Sequence, residues 1–260
     1  MLSMWYHENS KLDRLDIIRQ GEMIGAFSSP YLLKRASQPY KCFTGSRIYP
    51  MSEYGNTPLP QKGLFASMQN RRSIRTYNSL PISMFELYLL LHHAYGITAE
   101  NQINGADGTW AYRSVPSGGA LYPLELYVYL HRSPLPQGIY HYRPDINALE
   151  AIANGDHMPI LKQNMVAEPY INIDTANCIV LISSIMERTL LKYGERGYRF
   201  ILQEVGFVGQ NISLTCEALD MASCMIGSFF DNEINKLIDA DGVTETTQAV
   251  IALGKKTITT

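Results

Sequence analysis

The chain has 260 residues, of which 46% are hydrophobic and 18% charged, and its formal net charge at pH 7 is −2. This composition is typical of a globular protein with a substantial core, in one large domain or two small ones. The small net charge gives no reason to expect a nucleic acid or an anionic membrane as partner. No apolar segment approaches the roughly 20 residues of a membrane span and no signal peptide is visible, so we expect a soluble, cytoplasmic protein.

Residues 1–60, the N-terminal arm, are interrupted by five prolines and contain no long periodic segment. We expect an extension with one short helix near residues 12–23, packed on a body formed by residues 61–260. The body opens with a helix start, because Ser83 and Glu86 have the spacing of a capping box. Apolar residues surround this segment almost completely up to Gly96, so it is predicted to be a central, buried helix.

The rest of the body mixes strands and helices without a regular βαβ alternation. Residues 124–130 alternate between apolar and polar or aromatic side chains, which predicts a half-buried strand. Residues 139–142 and 148–150 resemble a hairpin, residues 178–185 and 249–254 suit buried strands, and residues 197–221 suit a long helix. We therefore predict an α+β fold.

Familiar cofactor and metal motifs are missing. There is no G-x-G-x-x-G, and Gly254-Lys255-Lys256 departs from a P-loop because a lysine stands where serine or threonine must follow the first lysine. The six histidines have no ligand spacing, so no metal site is expected. The four cysteines are widely separated and are predicted to be reduced core thiols.

Two loops are candidates for ligand binding. The arginine loop, residues 71–75, places Arg71, Arg72 and Arg75 around Ser73, and guanidinium groups suit an anion such as phosphate. A solvated basic loop explains these residues equally well. The glycine loop, residues 116–121, has small residues that let backbone approach a ligand closely, but it could also be an ordinary turn.

The order of several segments carries a family resemblance. Arg71-Arg72-Ser73-Ile74-Arg75-Thr76-Tyr77 is similar to the flavin-binding opening of the nitroreductase superfamily. Pro116-Ser117-Gly118-Gly119-Ala120-Leu121-Tyr122-Pro123-Leu124-Glu125 resembles the SagB-type, or McbC-like, dehydrogenases, the azoline oxidases of thiazole and oxazole biosynthesis. Residues 6–11, 192–199 and 241–245 match further segments in the same order, so the resemblance spans nearly the whole chain.

The resemblance implies a nitroreductase-like fold: a central, mostly antiparallel sheet flanked by helices, in an interlocked homodimer with FMN at the subunit interface. The positions that match the family's FMN-binding residues are Arg71, Arg72, Ser73, Arg75, Pro116, Ser117, Gly118, Gly119, Leu121, Gly227, Ser228 and Lys255. Relatives often carry another glycine where this chain has Ser228, so that contact departs from the pattern.

The implied reaction is a two-electron oxidation of a thiazoline or oxazoline in a peptide, in natural-product biosynthesis. A hydride passes to flavin N5, a base removes a proton, and molecular oxygen reoxidises the flavin. The family's catalytic pair corresponds to Lys192 and Tyr193, which the residues alone would make a surface lysine and a core tyrosine. A lysine serves as base only where burial or a neighbouring cation lowers its pKa.

The implied partners are a second copy of the chain and a peptide presented by a cyclodehydratase complex or by a nonribosomal peptide synthetase carrier or cyclisation module. The alternative activity is a generic NAD(P)H-dependent nitro or quinone reductase, which would not need the pair. A scaffold subunit without FMN is a third reading. Arg196 and Tyr198 are assigned to structure or the substrate pocket, Glu204 to packing or an interface, and Arg113 has no role.

Overall fold

The computed structural model describes residues 1–27, 29–37, 40–103, 108–167 and 169–257. The α-helices within these residues are α1 (Leu2–Asn9), α2 (Arg14–Ala26), α3 (Pro30–Ser37), α4 (Leu64–Asn70), α5 (Met84–Tyr95), α6 (Met158–Asn164), α7 (Glu187–Tyr193), α8 (Arg196–Ala218) and α9 (Asp231–Leu237). The strands are β1 (Ile48–Pro50), β2 (Ile97–Gln102), β3 (Thr109–Arg113), β4 (Leu124–Leu130), β5 (Gly138–Arg143), β6 (Ala148–Asn154), β7 (Cys178–Ile185), β8 (Met221–Ile226) and β9 (Glu245–Lys255).

A seven-stranded sheet organises the molecule, in the order β1-β6-β5-β4-β7-β9-β8, and every neighbouring pair in it is antiparallel. Helices α5 and α8 pack on one face with the larger hydrophobic cluster. Helices α6 and α9 contribute to a second cluster on the other face. Strands β2 and β3 form a separate hairpin. The predicted α+β fold, a mostly antiparallel sheet flanked by helices, is confirmed.

Strand β4 is buried along both faces, which corrects the expectation of a half-buried strand. All seven of its residues are buried. Leu126 and Val128 face the cluster under α5 and α8, whereas Tyr127 and Tyr129 belong to the opposite cluster. The alternation was misleading because the tyrosines bury their rings and satisfy their hydroxyls, Tyr127 donating to Glu245 at 2.8 Å and Tyr129 to Asp156 at 2.6 Å.

Glu125, the acidic residue of β4, is part of a buried chain of charged side chains. Glu125 Oε2 lies 2.7 Å from His141 Nε2, and His141 Nδ1 lies 3.0 Å from Glu150 Oε2. Burial alone would lower the pKa of His141, but the hydrogen bonds to both carboxylates outweigh this effect and raise it. The Arg188 guanidinium contacts the other oxygen of Glu125 at 2.7 Å. The carboxylates therefore lie buried beside cationic partners.

The two long helices, α5 and α8, agree with the predicted helices except at the C-terminal end of α8. Helix α5 begins with the predicted capping box, in which Ser83 and Glu86 each accept from the other's backbone N–H. Helix α8 ends at Ala218 and does not reach Met221, which instead begins β8. The reason is Asp220, whose φ of 54° lies in the left-handed region and stops the helix.

Among the described residues, the N-terminal arm contains three α-helices, α1 to α3, where one helix was predicted. Helix α2 begins with a capping box made by Asp13 and Asp16, and α3 begins at Pro30. The arm contacts the body: the Arg196 guanidinium donates to the Ser10 carbonyl at 3.0 Å, and β1 pairs with β6. The division of the chain at residue 60 stays a prediction.

The expectation for the four cysteines can be compared with the structure. Cys178, Cys216 and Cys224 are buried free thiols as predicted, but Cys42 is exposed. Among the described residues, no helix is long and apolar enough to cross a membrane. Over the same residues, no group of three or more His, Cys, Asp or Glu side chains could hold a metal ion.

Candidate active site

The glycine loop lies directly against the predicted catalytic pair. Gly119 has a φ of 63°, and a Cβ atom built on it would lie 2.6 Å from Tyr193 Oη and 2.9 Å from Lys192 Nζ. Real Cβ atoms essentially never approach other heavy atoms this closely, so a side chain at 119 would displace the pair. Folding thus brings together three predicted site residues from two distant segments of the chain.

Helices α7 and α8 hold this arrangement in place. Tyr193 ends α7, and its ring meets that of Phe200 on α8 edge to face, with centroids 5.0 Å apart. The same Phe200 packs under the loop, 3.0 Å from where a Cβ of Gly118 would be. One aromatic ring therefore contacts both Tyr193 of the predicted catalytic pair and the glycine loop.

The environment of Lys192 shifts its pKa in the direction that a lysine base requires. Its side chain is half-buried, and burial lowers the pKa of the ammonium group. Within the described part of the chain it has no carboxylate partner, and its Nζ lies 5.5 Å from the ring centroids of Phe27 and Tyr193. Burial raises the pKa of Tyr193, so this phenol stays protonated at neutral pH.

Glu204, which the sequence analysis assigned to packing or an interface, lies beside the glycine loop and is a candidate site residue. Its carboxyl is 1% exposed, accepts a hydrogen bond from Tyr95 Oη at 2.6 Å, and is hydrogen-bonded to the Ser117 side chain of the glycine loop. Burial raises the pKa of Glu204 to about 7. The available signal was its spacing, because Glu204 falls on the apolar stripe of α8 between Ile201 and Val208.

Arg113, at the end of β3, and its aromatic neighbours help to hold the glycine loop in place. The Arg113 guanidinium stacks 4.2 Å from the centroid of the Tyr95 ring and 5.0 Å from that of Tyr122. The backbone N–H of Tyr122 donates to Ser117 Oγ at 2.9 Å, and Tyr122 Oη accepts from the Arg113 N–H at 2.9 Å. Arg113, to which the sequence analysis gave no role, therefore helps to hold the glycine loop in place. Within the loop, Leu121 is buried and Pro116 exposed.

The arginine loop runs along the free edge of β8. Ser73 forms a parallel bridge with Ser223, and the Ile74 N–H donates to the Ser223 carbonyl at 3.0 Å. Arg72 donates to the carbonyls of Gln69 and Arg71, and Arg75 donates to the carbonyl of Ser73 at 3.2 Å. None of the three guanidinium groups forms an ion pair with a carboxylate of the described residues. These cations are available to an anion.

The remaining residues predicted to contact FMN differ in their exposure and in the partners that they already have. Gly227 and Ser228 are exposed just beyond β8, and a Cβ on Gly227 would meet nothing within 4 Å. The Ser228 carbonyl accepts from the Val166 N–H at 2.9 Å. The Lys255 ammonium forms an ion pair with Glu86 at the start of α5. A phosphate contact by Lys255 stays a prediction, because it would have to share this ammonium with Glu86.

The two loops pack on opposite faces of the sheet. Val115, Ala120 and Tyr122, in and beside the glycine loop, belong to the cluster under α5 and α8. Ile74 and Tyr77, in and beside the arginine loop, belong to the cluster on the other face. The residues fit FMN chemically, since unpaired guanidinium groups suit a phosphate and the open backbone at Gly227 suits a flat ring. One chain does not bring the two predicted groups together on one face.

The fold, and the chemistry of the side chains in the two loops, are those expected for a flavin oxidoreductase. The model of the nitroreductase family matches residues 68–255, so the chain belongs to the nitroreductase family. A protein of Methanocaldococcus jannaschii, provisionally named a nitroreductase, is 34% identical over 174 residues, 65% of this chain and 80% of that protein. The microcin B17-processing protein McbC of Escherichia coli is 25% identical over 178 residues, 66% of this chain and 58% of McbC.

Solved structures show the same fold. A provisionally named nitroreductase of Anabaena variabilis superposes with a TM-score of 0.74 at 24% identity over 96% of this chain, which spans only 45% of that protein. A chain in the E. coli microcin synthetase McbBCD complex with truncated pro-MccB17 superposes with a TM-score of 0.57 at 20% identity, covering 95% of this chain and 98% of that chain. A Desulfovibrio desulfuricans relative in complex with FMN gives a TM-score of 0.50 at 19% identity, covering 75% and 86%.

Proposed function

We propose that this protein is an FMN-dependent azoline oxidase of the SagB or McbC type, acting on a thiazoline or oxazoline ring in a peptide. The observation that carries the proposal is the contact of Lys192 and Tyr193 with Gly119. A generic nitroreductase has no need for a half-buried lysine without a carboxylate partner at this position. Sequence similarity to a microcin-processing protein supports the same reading.

The reaction removes two hydrogens from the ring, one as a hydride and one as a proton from the neighbouring carbon. When bound, FMN supplies the two-electron acceptor for the hydride, with molecular oxygen as the final oxidant. Neutral Lys192 accepts the proton, and burial favours this neutral form by lowering the pKa of the ammonium. Tyr193 keeps its proton and orients the substrate by donating a hydrogen bond.

The chain offers separate groups to each part of the cofactor. Arg71, Arg72, Ser73 and Arg75 would hold the phosphate, the ribityl chain and the pyrimidine edge, because charge-assisted hydrogen bonds from guanidinium groups are strong. The backbone of the glycine loop, from Pro116 to Leu121, would contact the flavin. Gly227 and Ser228 would form a second backbone contact, and Lys255 would reach the phosphate if it left Glu86.

A second copy of the chain completes the site in this proposal. The two FMN-binding groups lie on opposite faces of one sheet, so the glycine loop of one copy and the arginine loop of the other are expected to share a cofactor. The further partner is a cyclodehydratase complex or a nonribosomal peptide synthetase module that presents the peptide, in the cytoplasm. Similarity to McbC, and the fold shared with a chain of the McbBCD complex, support the cyclodehydratase.

A second candidate function is an NAD(P)H-dependent nitro or quinone reductase. The observation in its favour is the 34% identity to the M. jannaschii protein, which is higher than the identity to McbC. In this alternative Lys192 and Tyr193 would be dispensable. The two candidates therefore differ in which residues they require.

One experiment separates the two activities. Purified, FMN-loaded protein is incubated in air with a thiazoline-containing peptide, and mass spectrometry follows the loss of two hydrogens. A parallel reaction follows NADH consumption with a nitroaromatic compound. The azoline oxidase predicts turnover only in the first reaction. Turnover only in the second would replace it with the reductase, and protein that binds no FMN would contradict both.

A further inference from the structure

A cavity of about 160 Å³ lies between helix α7 and the N-terminal arm. Phe27, Leu32 and Ala36 line it from the arm, and Leu121 and Leu191 line it from the body. Arg35, Tyr40, Glu187 and Arg188 line the rest of the cavity, so its walls combine apolar and polar side chains. The cavity exists only because α2 and α3 pack beside α7.

The cavity adjoins the candidate catalytic pair. Phe27, at its arm wall, has its ring centroid 5.5 Å from Lys192 Nζ. Leu121, at its body wall, is the last residue of the glycine loop. The Gln20 amide of α2 donates to the Tyr193 carbonyl at 3.2 Å, which fixes the arm to the end of α7. A group in this cavity would thus lie beside the ring on which Lys192 acts.

The charges around the cavity already have partners. The Arg35 guanidinium pairs with Glu187 at 2.6 Å, and Arg188 pairs with Glu125 at 2.7 Å. A charged occupant would lose its hydration without gaining an unpaired counter-ion, which is unfavourable. An uncharged occupant has no such cost. In size, an apolar cavity of roughly 150 Å³ can hold benzene.

The arm wall lies outside the segment that defines the family. The nitroreductase model matches residues 68–255, whereas Phe27, Leu32 and Ala36 precede it. The body supplies the catalytic pair and the glycine loop. The arm supplies a binding surface that can differ between relatives without changing the chemistry.

We propose that this arm cavity binds one uncharged, ring-sized group of the peptide substrate, immediately next to the reacting azoline. The inference rests on the proposed function, and it assigns the N-terminal arm to substrate selection. Peptides with phenylalanine beside the azoline bind better than otherwise identical peptides with glycine or aspartate there. The arm cavity contributes to KM and leaves the chemical step unchanged.

The test fills the cavity. Ala36→Phe places a ring inside it, and Ala26→Phe is the matched control, because Ala26 is exposed and does not line the cavity. For the FMN-loaded protein, Ala36→Phe should raise KM for the phenylalanine peptide roughly tenfold or more, because the free energy gained by burying the phenylalanine side chain is lost. KM for the glycine peptide, and kcat for both peptides, should stay unchanged. Ala26→Phe should change neither. Equal losses with both peptides, or no loss with either, would overturn the inference.

A second variant and a binding measurement guard against ambiguous results. Leu32→Ala enlarges the cavity and should improve KM for a tryptophan peptide relative to the phenylalanine peptide; unchanged selectivity would count against the inference. If the wild-type protein oxidises no azoline, the proposed function fails and binding of the corresponding thiazole peptides decides the inference. Tenfold weaker binding of the phenylalanine peptide to Ala36→Phe would support it, and equal binding would overturn it.

Discussion

The glycine loop and the arginine loop differ in how far the protein itself satisfies their polar groups. Around the glycine loop, Glu204 is hydrogen-bonded to both Ser117 and Tyr95, and Gly119 lies against the predicted catalytic pair. Along the arginine loop, Arg71, Arg72 and Arg75 have no carboxylate partners among the described residues. The first loop has its geometry built into the fold. The second is open to a ligand, so losses there should affect cofactor retention more than geometry.

The largest effect is expected at the base. Lys192→Ala should lower the rate of azole formation about 10³-fold, within the usual range for general base catalysis, while FMN stays bound. Lys236→Ala, at an exposed position of helix α9, is the control and should have the wild-type rate. Turnover is measured by mass spectrometry and FMN content by absorbance. A wild-type rate for Lys192→Ala would remove the proposed base.

Gly119→Ala should disturb the packed loop. The new Cβ would collide with Tyr193 Oη and Lys192 Nζ, and misplacing catalytic groups by about 1 Å can cost 10²-fold in rate. Gly45→Ala is the matched control, because Gly45 has a φ of 83° but open space around it. Both variants should lose roughly 1–2 kcal/mol of stability from left-handed strain. Equal activity in the two variants would show that the contact with the pair is unimportant.

Glu204 should make stability depend on pH. Its pKa is about 7 when folded and 4.5 without the fold, so the folded state binds more protons between these values and loses stability as pH rises through them. Glu204→Gln does not titrate. Between pH 5 and pH 8, urea unfolding should therefore show the variant gaining about 2.5 kcal/mol of stability relative to the wild type. If the stabilities of the wild type and the variant change equally with pH, the Glu204 carboxyl is not buried as described.

The smallest effect is expected in the open loop. Arg75→Ala removes a charge-assisted hydrogen bond and should weaken FMN binding roughly tenfold, with little change in the melting temperature of the FMN-free protein. Arg47→Ala, also exposed but beside β1, should keep the wild-type affinity for FMN. Fluorescence titration measures both. Unchanged affinity of Arg75→Ala would separate the arginine loop from the cofactor.

Local signals were sufficient for some elements of the fold. The capping box of Ser83 and Glu86 and the surrounding apolar residues predict α5 correctly, because its start depends on neighbouring residues alone. The apolar run of residues 178–185 likewise matches β7. The Asp13 and Asp16 box of α2 was overlooked because aspartate replaces the usual glutamate or glutamine at its third helical position.

Contacts between residues that are distant in the sequence determine the features that the sequence pattern could not predict. Glu125 is buried because His141 and Arg188 pair with it, and neither partner is visible from the pattern of β4 itself. The site residues in the two loops came from a family resemblance. The contact of Gly119 with Lys192, and the burial of Glu204 beside Ser117, needed the packing of α7 and α8 around the loop.

The hydrogen bond from Gln20 to the Tyr193 carbonyl has an evolutionary consequence. It fastens a segment outside the family body to the last residue of the helix that carries the proposed catalytic pair. Relatives with the same body could acquire new substrates by exchanging the arm, while the reacting groups stay constant. Grafting the arm of one relative onto the body of another would then transfer substrate preference without redesigning the chemistry.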